Sequence, residues 1–391
     1  EKILDRAVAD ILRVKYEIGL FDDPYKTSED REKNAMLKEE YRALSKEAAV
    51  KSIVLLKNEE VLPISENTKI AVFGELANLR EQMTGAWSIG ADEGACVSIN
   101  DALDTLGISR TYEPGIKDGS ADKEAVNKAA GQAEVLICAM GESKEESGEA
   151  SSKADISLPK EQIELFDALV ETGKPVVVIL FNGRPLAIPH IAEKAGAIIE
   201  AWHLGTEAGS ALIDIIYGKE NPSGKLTTTF PYASGQCPMY YAHPNTGRPG
   251  GKSKFTSKYL DVPVEPLYPF GYGLSYTRFD YSNLKAEQKE DGIQVSVTVK
   301  NVGKFKGTET VQCYIRDVSA KRVRPVKQLK SFKKVTIDPG DETEVWFNIP
   351  ISELGYIDFD MQYVVEEGEF IIFVGGNSRD TLEKSVYINM P

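Results

Sequence analysis

The chain has 391 residues, an apolar fraction of 42% and a formal net charge of -14, enough for two or three domains with cores of their own. That charge opposes a phosphate backbone, and no basic cluster with interleaved aromatics offsets it, so nucleic acid is not expected as a partner. No apolar run reaches the roughly 18 residues of a membrane span, and Glu1 to Tyr16 mixes charges into a helical pattern instead of forming a signal peptide, so the chain is expected neither to span nor to insert into a membrane. The four cysteines, Cys96, Cys138, Cys237 and Cys313, are scattered singly, and two lie in apolar strand-like runs that suit buried free thiols. The three histidines, His190, His203 and His243, do not pair with other ligands at metal-binding spacing, so no metal is expected.

Ile3, Leu4, Ala7, Val8, Ile11, Leu12 and Tyr16 recur at helical spacing, and Gly19 marks a stop before the turn-rich Phe21-Asp-Asp-Pro-Tyr25. One amphipathic helix with a full apolar stripe needs a partner, which reads as the close of a domain lying upstream of Glu1. From about residue 40 to 235, short apolar runs alternate with helical stretches. Strands are predicted at Ile70-Ala-Val-Phe73, Val135-Leu-Ile-Cys-Ala139, Val176-Val-Val-Ile-Leu180 and Ala197-Ile-Ile199, and helices around 43–57, 123–132, 160–172 and 206–217. Continuous β-branched runs between helices predict a mainly parallel sheet covered on both faces. Its carboxyl edge, where such sheets bind ligands, reads Gly74-Glu75, Gly141-Glu142, Asn182-Gly183 and Trp202-His203.

Residues 236–277 are rich in Pro, Gly and Tyr and suit a long surface connection. Beyond them the period changes to two: Ile293, Val295, Val297 and Val299 alternate with polar residues, as do Val311, Cys313 and Ile315. With further short strands near 328–337, 343–349, 361–365 and 369–374, this predicts a β-sandwich of about 100 residues. The expected division is 1–28, 29–235, 236–277 and 278–391.

Seven segments in order then carry a resemblance to the family 3 glycoside hydrolases over essentially the whole chain. They are Ala49 to Asn58, Gly148-Glu-Ala-Ser-Ser-Lys-Ala-Asp-Ile156, Lys174 through Asn182-Gly-Arg-Pro185, Pro222-Ser-Gly-Lys-Leu226, Tyr268-Pro-Phe-Gly-Tyr-Gly-Leu-Ser-Tyr276, Val299-Lys-Asn-Val-Gly303 and Val365-Glu-Glu-Gly-Glu-Phe370. The resemblance implies an α/β sandwich of the (α/β)6 type followed by a fibronectin type III-like β-sandwich. It also implies a preceding (β/α)8 barrel, of which residues 1–28 are similar to the last helix and linker. The family's aspartate nucleophile belongs to that barrel, and no position here matches its motif.

Retaining hydrolysis needs one carboxylate that attacks the anomeric carbon and one acid that protonates the departing oxygen. Glu142, Glu145, Glu146 and Glu149 crowd the loop after the strand at 135. Composition alone reads them as a solvated acidic loop. By the resemblance, Glu149 in Ser147-Gly-Glu-Ala-Ser-Ser152 is the general acid/base, with Glu142 holding the loop. The neighbouring glycine lets the backbone turn the side chain into a cleft, and crowding with partial burial would favour its protonated form. Trp87 lies on the same sheet edge, and by the resemblance its indole is a platform for the leaving-group sugar. The plain alternative is a half-buried loop aromatic. Trp202-His203 reads as structural, Pro222-Ser-Gly-Lys225 lacks phosphate-loop spacing, and the Tyr268 to Tyr276 run reads as packing between domains.

The resulting expectation is an exo-acting retaining β-glycoside hydrolase of the β-glucosidase type, with no cofactor, acting on a β-linked oligosaccharide or aryl glycoside. β-Xylosidase is the near alternative, and a non-catalytic carbohydrate-binding or scaffold protein is the reading if no barrel accompanies the chain. The family also implies a periplasmic or secreted location. Linkage preference and oligomeric state are left open.

Overall fold

A computed structural model describes residues 1–389. The chain gathers into two compact units, residues 1–44 and residues from Ser45 onward. In the first unit, helix Lys2–Glu17 ends as the sequence predicts. Gly19 adopts a left-handed φ of +73°, and the N–H groups of Gly19 and Leu20 bond to the carbonyls of Tyr16 and Lys15 at 2.9 Å each, a Schellman end. No residue of this helix is buried, and Ile3, Leu4, Ile11 and Tyr16 of its apolar stripe are exposed.

The second unit opens on a six-stranded sheet in the order Val54–Asn58, Ala197–Glu200, Val176–Phe181, Val135–Gly141, Ile70–Phe73 and Arg110–Glu113. Every pairing is parallel except that of the first edge strand, so the sheet is mainly parallel. The four strands predicted from β-branched runs are the four interior ones. The helix predicted over 43–57 is instead helix Glu39–Ser52 followed by strand Val54–Asn58. An apolar run of this length suits either state, and pairing with Ala197–Glu200 decides it.

Strict alternation along the strands separates two cores. Val72, Ile137, Ile179 and Ile199 face helices Ile99–Thr105 and Ala208–Ile216, whereas Phe73, Cys138, Val178 and Ile198 face helices Lys123–Ala130 and Lys160–Glu171. Each of these side chains contributes about 1.5 to 3 kcal/mol by leaving water. Strand order reverses between Ile70–Phe73 and Val135–Gly141. The chain leaves the first of these for a helix on one face and the second for a helix on the other, which opens a crevice at their carboxyl ends.

Strands Glu342–Pro350, Gly292–Asn301 and Phe279–Lys289 form one sheet of a β-sandwich, and Gln328–Ile337, Gly307–Asp317, Gly368–Gly375 and Thr381–Ile388 the other. Their inward residues, among them Val295, Val297, Cys313, Ile315, Phe347 and Ile372, make its core. The aromatic run Tyr268 to Tyr276 joins the two parts. Tyr268 and Tyr272 pack on the sheet domain, Phe270 stacks on Tyr241 at 4.3 Å, and the Gln312 amide of the sandwich donates to the Gly271 carbonyl at 3.0 Å.

Candidate active site

Two loops border the crevice at the reversal of strand order. One follows Ile70–Phe73 and carries Trp87; the other follows Val135–Gly141 and carries Glu142 to Lys153.

Within the second loop the four glutamates occupy different environments. Glu142 is buried, its side chain 1% exposed, with Arg184 Nε 3.0 Å from one oxygen and Lys153 Nζ 3.1 Å from the other. Glu146 receives Lys153 Nζ and the Ser143 N–H at 2.9 Å each. Burial acts to raise its proton affinity, but these hydrogen bonds prevail and hold the carboxyl below its ordinary value. Glu145 is exposed, and its carbonyl accepts from Ser151 Oγ at 3.0 Å.

Glu149 stands at the tip between two left-handed residues, Gly148 at φ +102° and Ala150 at φ +59°. A non-glycine residue held there costs about 1 to 2 kcal/mol, and such strain gathers at functional turns. Two expectations for Glu149 need correction. Its side chain is exposed rather than partly buried, because the turn carries it outward from the sheet edge. Nor do Glu142 and Glu146 crowd it with unbalanced charge, since Lys153 and Arg184 neutralise both.

The loops meet at Gly148. A Cβ at this position would lie 2.9 Å from Ala86 Cβ and 3.5 Å from Trp87 Nε1, so the indole packs beside the residue preceding Glu149. Trp87 itself is 70% exposed, which departs from a half-buried loop aromatic and leaves a broad apolar surface facing outward. Beneath it, His203 supports the Trp87 loop: its ring borders Gly85, and its Nδ1 lies 3.3 Å from the Gln82 carbonyl. Burial is the main reason that its imidazole is held below the usual histidine range, which suits a structural residue.

Several participants carried no sequence signal of their own. Arg184 stood only inside the Asn182-Gly-Arg-Pro185 motif, Lys153 only inside the Gly148 to Ile156 segment, and Gln82, whose Oε1 accepts from the Lys144 N–H at 2.7 Å, had none. Glu200, one residue past the predicted strand Ala197-Ile-Ile199, was not singled out. It is wholly buried, and its oxygens are met by the Trp202 N–H at 3.0 Å and the Asn182 amide at 3.3 Å.

The site is thus a crevice at the reversal point of an α/β sheet, bordered by a projecting carboxyl and an exposed indole, in a chain that continues into a two-sheet β-sandwich. The glycosyl hydrolase family 3 C-terminal domain matches residues 53–276, and a fibronectin type III-like domain matches residues 309–378. The chain belongs to glycosyl hydrolase family 3.

Among its relatives, the periplasmic beta-glucosidase of Salmonella typhimurium is 41% identical over 96% of this chain and 54% of that protein. A beta-xylosidase of Formosa agariphila is 37% identical over 100% of the chain and 56% of its own length. The crystal structure of a beta-glucosidase from Listeria innocua in complex with isofagomine superposes with a TM-score of 0.91 at 39% identity, covering 99% of this chain and 55% of that one. The chain thus spans about half the length of the relatives it matches.

Proposed function

We propose that this chain is the acid/base half of a retaining, exo-acting β-glycosidase of the β-glucosidase type, with Glu149 as general acid/base and the nucleophile on a (β/α)8 barrel outside residues 1–391. The observation that carries the reading is the contrast within one loop. Glu142 and Glu146 are locked in ion pairs, whereas Glu149 projects from a strained turn at the crevice, beside an exposed indole. In the first step Glu149 gives its proton to the glycosidic oxygen as the bond to the anomeric carbon breaks and the barrel carboxylate forms a glycosyl ester. In the second, the Glu149 carboxylate takes a proton from water, whose oxygen attacks the same carbon and frees the sugar. Closure of the barrel and sugar over the tip would supply the desolvation that Glu149 lacks in these residues alone.

Trp87 is proposed as the platform for the leaving-group sugar, and Glu142 as a support for the loop. Substrates are proposed to be β-linked disaccharides such as laminaribiose, which a mutant of the Listeria innocua enzyme binds. Relatives named β-xylosidases keep a pentose-specific variant of the same chemistry as the second reading. A periplasmic location is proposed from the Salmonella relative.

The test is Glu149→Ala in the barrel-containing enzyme. Alkyl β-glycosides should lose roughly 10²- to 10⁴-fold in rate, the scale of general-acid assistance. Glycosylation by activated aryl glycosides should lose far less, and azide should restore turnover as glycosyl azide. Equal losses on both substrate classes, without azide product, would exclude Glu149 from the role.

A further inference from the structure

Resting on that reading, we infer that Arg184 is the positioning residue of the acid/base: its guanidinium closes the loop on which Glu149 stands and sets where the carboxyl points. The loop leaves the sheet after Gly141 and runs past Ser151 toward helix Lys160–Glu171. Arg184 Nη2 donates to the Glu146 carbonyl and, at 2.7 Å, to the Ser151 carbonyl, while Nε donates to Glu142 Oε2 at 3.0 Å. One planar cation therefore joins the base of the loop to backbone points on both sides of Glu149. The two carbonyls lie three residues before and two residues after it.

The guanidinium is itself fixed. Asn182 Nδ2 donates to the Arg184 carbonyl at 2.8 Å, and the Glu142 carboxylate that receives Nε is 1% exposed. An ammonium is not equivalent here: it is a point donor, whereas this site needs a rigid fork with donors aimed in three directions. The strained turn gives the clamp its purpose. With Gly148 and Ala150 both left-handed, the tip would relax if either carbonyl were released, and Glu149 would swing with it. A displacement of about 1 Å is enough to cost on the order of 100-fold in rate. Arg184 does this without touching the reacting atoms, since every hydrogen bond of its side chain goes to the loop.

The experiment is a double-mutant cycle in the barrel-containing enzyme between Arg184→Gln and Glu149→Ala, with Arg184→Lys as a charge-preserving third variant. Arg184→Gln and Arg184→Lys should both lower kcat/KM for an alkyl β-glycoside about 10- to 100-fold and that for a dinitrophenyl glycoside less than about 3-fold. The Ki of a monosaccharide inhibitor should stay unchanged. In the Glu149→Ala background, Arg184→Gln should cost nothing further, because there is no carboxyl left to misplace. Equal losses on both leaving groups, full additivity with Glu149→Ala, or full activity of Arg184→Lys would each overturn the inference. Glu149→Ala that shows no leaving-group dependence would overturn the acid/base reading itself, so the two failures are told apart. Should Arg184→Gln fold poorly, hydrogen exchange of residues 142–153 in Arg184→Lys decides: faster exchange confined to that loop is expected, and unchanged exchange refutes the clamp.

Discussion

Glu200 ends a buried strand with a carboxyl that, among the described residues, meets two neutral donors, the Trp202 N–H and the Asn182 amide. Burial raises its proton affinity well above that of a free carboxyl, against the pull of those hydrogen bonds, so folded Glu200 holds its proton to higher pH than a free carboxyl does. The unfolded chain releases that proton near pH ~4.3. The folded pKa is the raised one, so the group's contribution is fully present below the unfolded value and is lost as pH rises toward the folded value. Glu200→Gln removes the titration at nearly constant shape. The variant should melt above the parent at pH ~7, with the gap closing toward pH ~4. Parallel melting curves across that range would show that Glu200 is charged in the fold.

At the scale of elements, the two loops that share the crevice meet where Trp87 packs against Gly148 and where the Lys144 N–H donates to Gln82 Oε1. If Trp87 is the leaving-group platform, Trp87→Ala should weaken disaccharide binding by about 1 to 2 kcal/mol. A monosaccharide inhibitor should be hardly affected, and calorimetry with both ligands checks this. Equal losses for the two would move the indole out of that role. The interior strands behind these loops were legible because buried parallel strands must be continuously apolar. The edge strands were not. Val54–Asn58 follows a helix and reads as its continuation, and Arg110–Glu113, with the sequence Arg-Thr-Tyr-Glu, is a strand only through its pairing with Ile70–Phe73. In the candidate site, Glu149 is picked out by motif alone. The grip of Arg184 is not, because its acceptors include main-chain carbonyls 38 and 33 residues away, and a carbonyl has no sequence identity.

For the whole molecule, the sheet domain and the sandwich each bring both halves of their cores, so residues 1–391 should fold when expressed alone. If Glu149 is the acid and the nucleophile lies outside these residues, no glycosyl ester forms, and the purified chain should show no turnover of an aryl β-glucoside beside a Glu149→Gln control. Turnover abolished by that substitution would locate the nucleophile within this sequence and would remove the need for the barrel.

The reversal of strand order has a consequence for how such a protein diversifies. The segment with Trp87 runs on into helix Ile99–Thr105 on one face of the sheet, and the segment with Glu149 runs on into helix Lys160–Glu171 on the other. Insertions or drift in one segment are absorbed by one core and leave the opposite core untouched. The aromatic surface can therefore be exchanged while Glu149 keeps its mounting, provided that the close approach at Gly148 and the bond between Lys144 and Gln82 are kept.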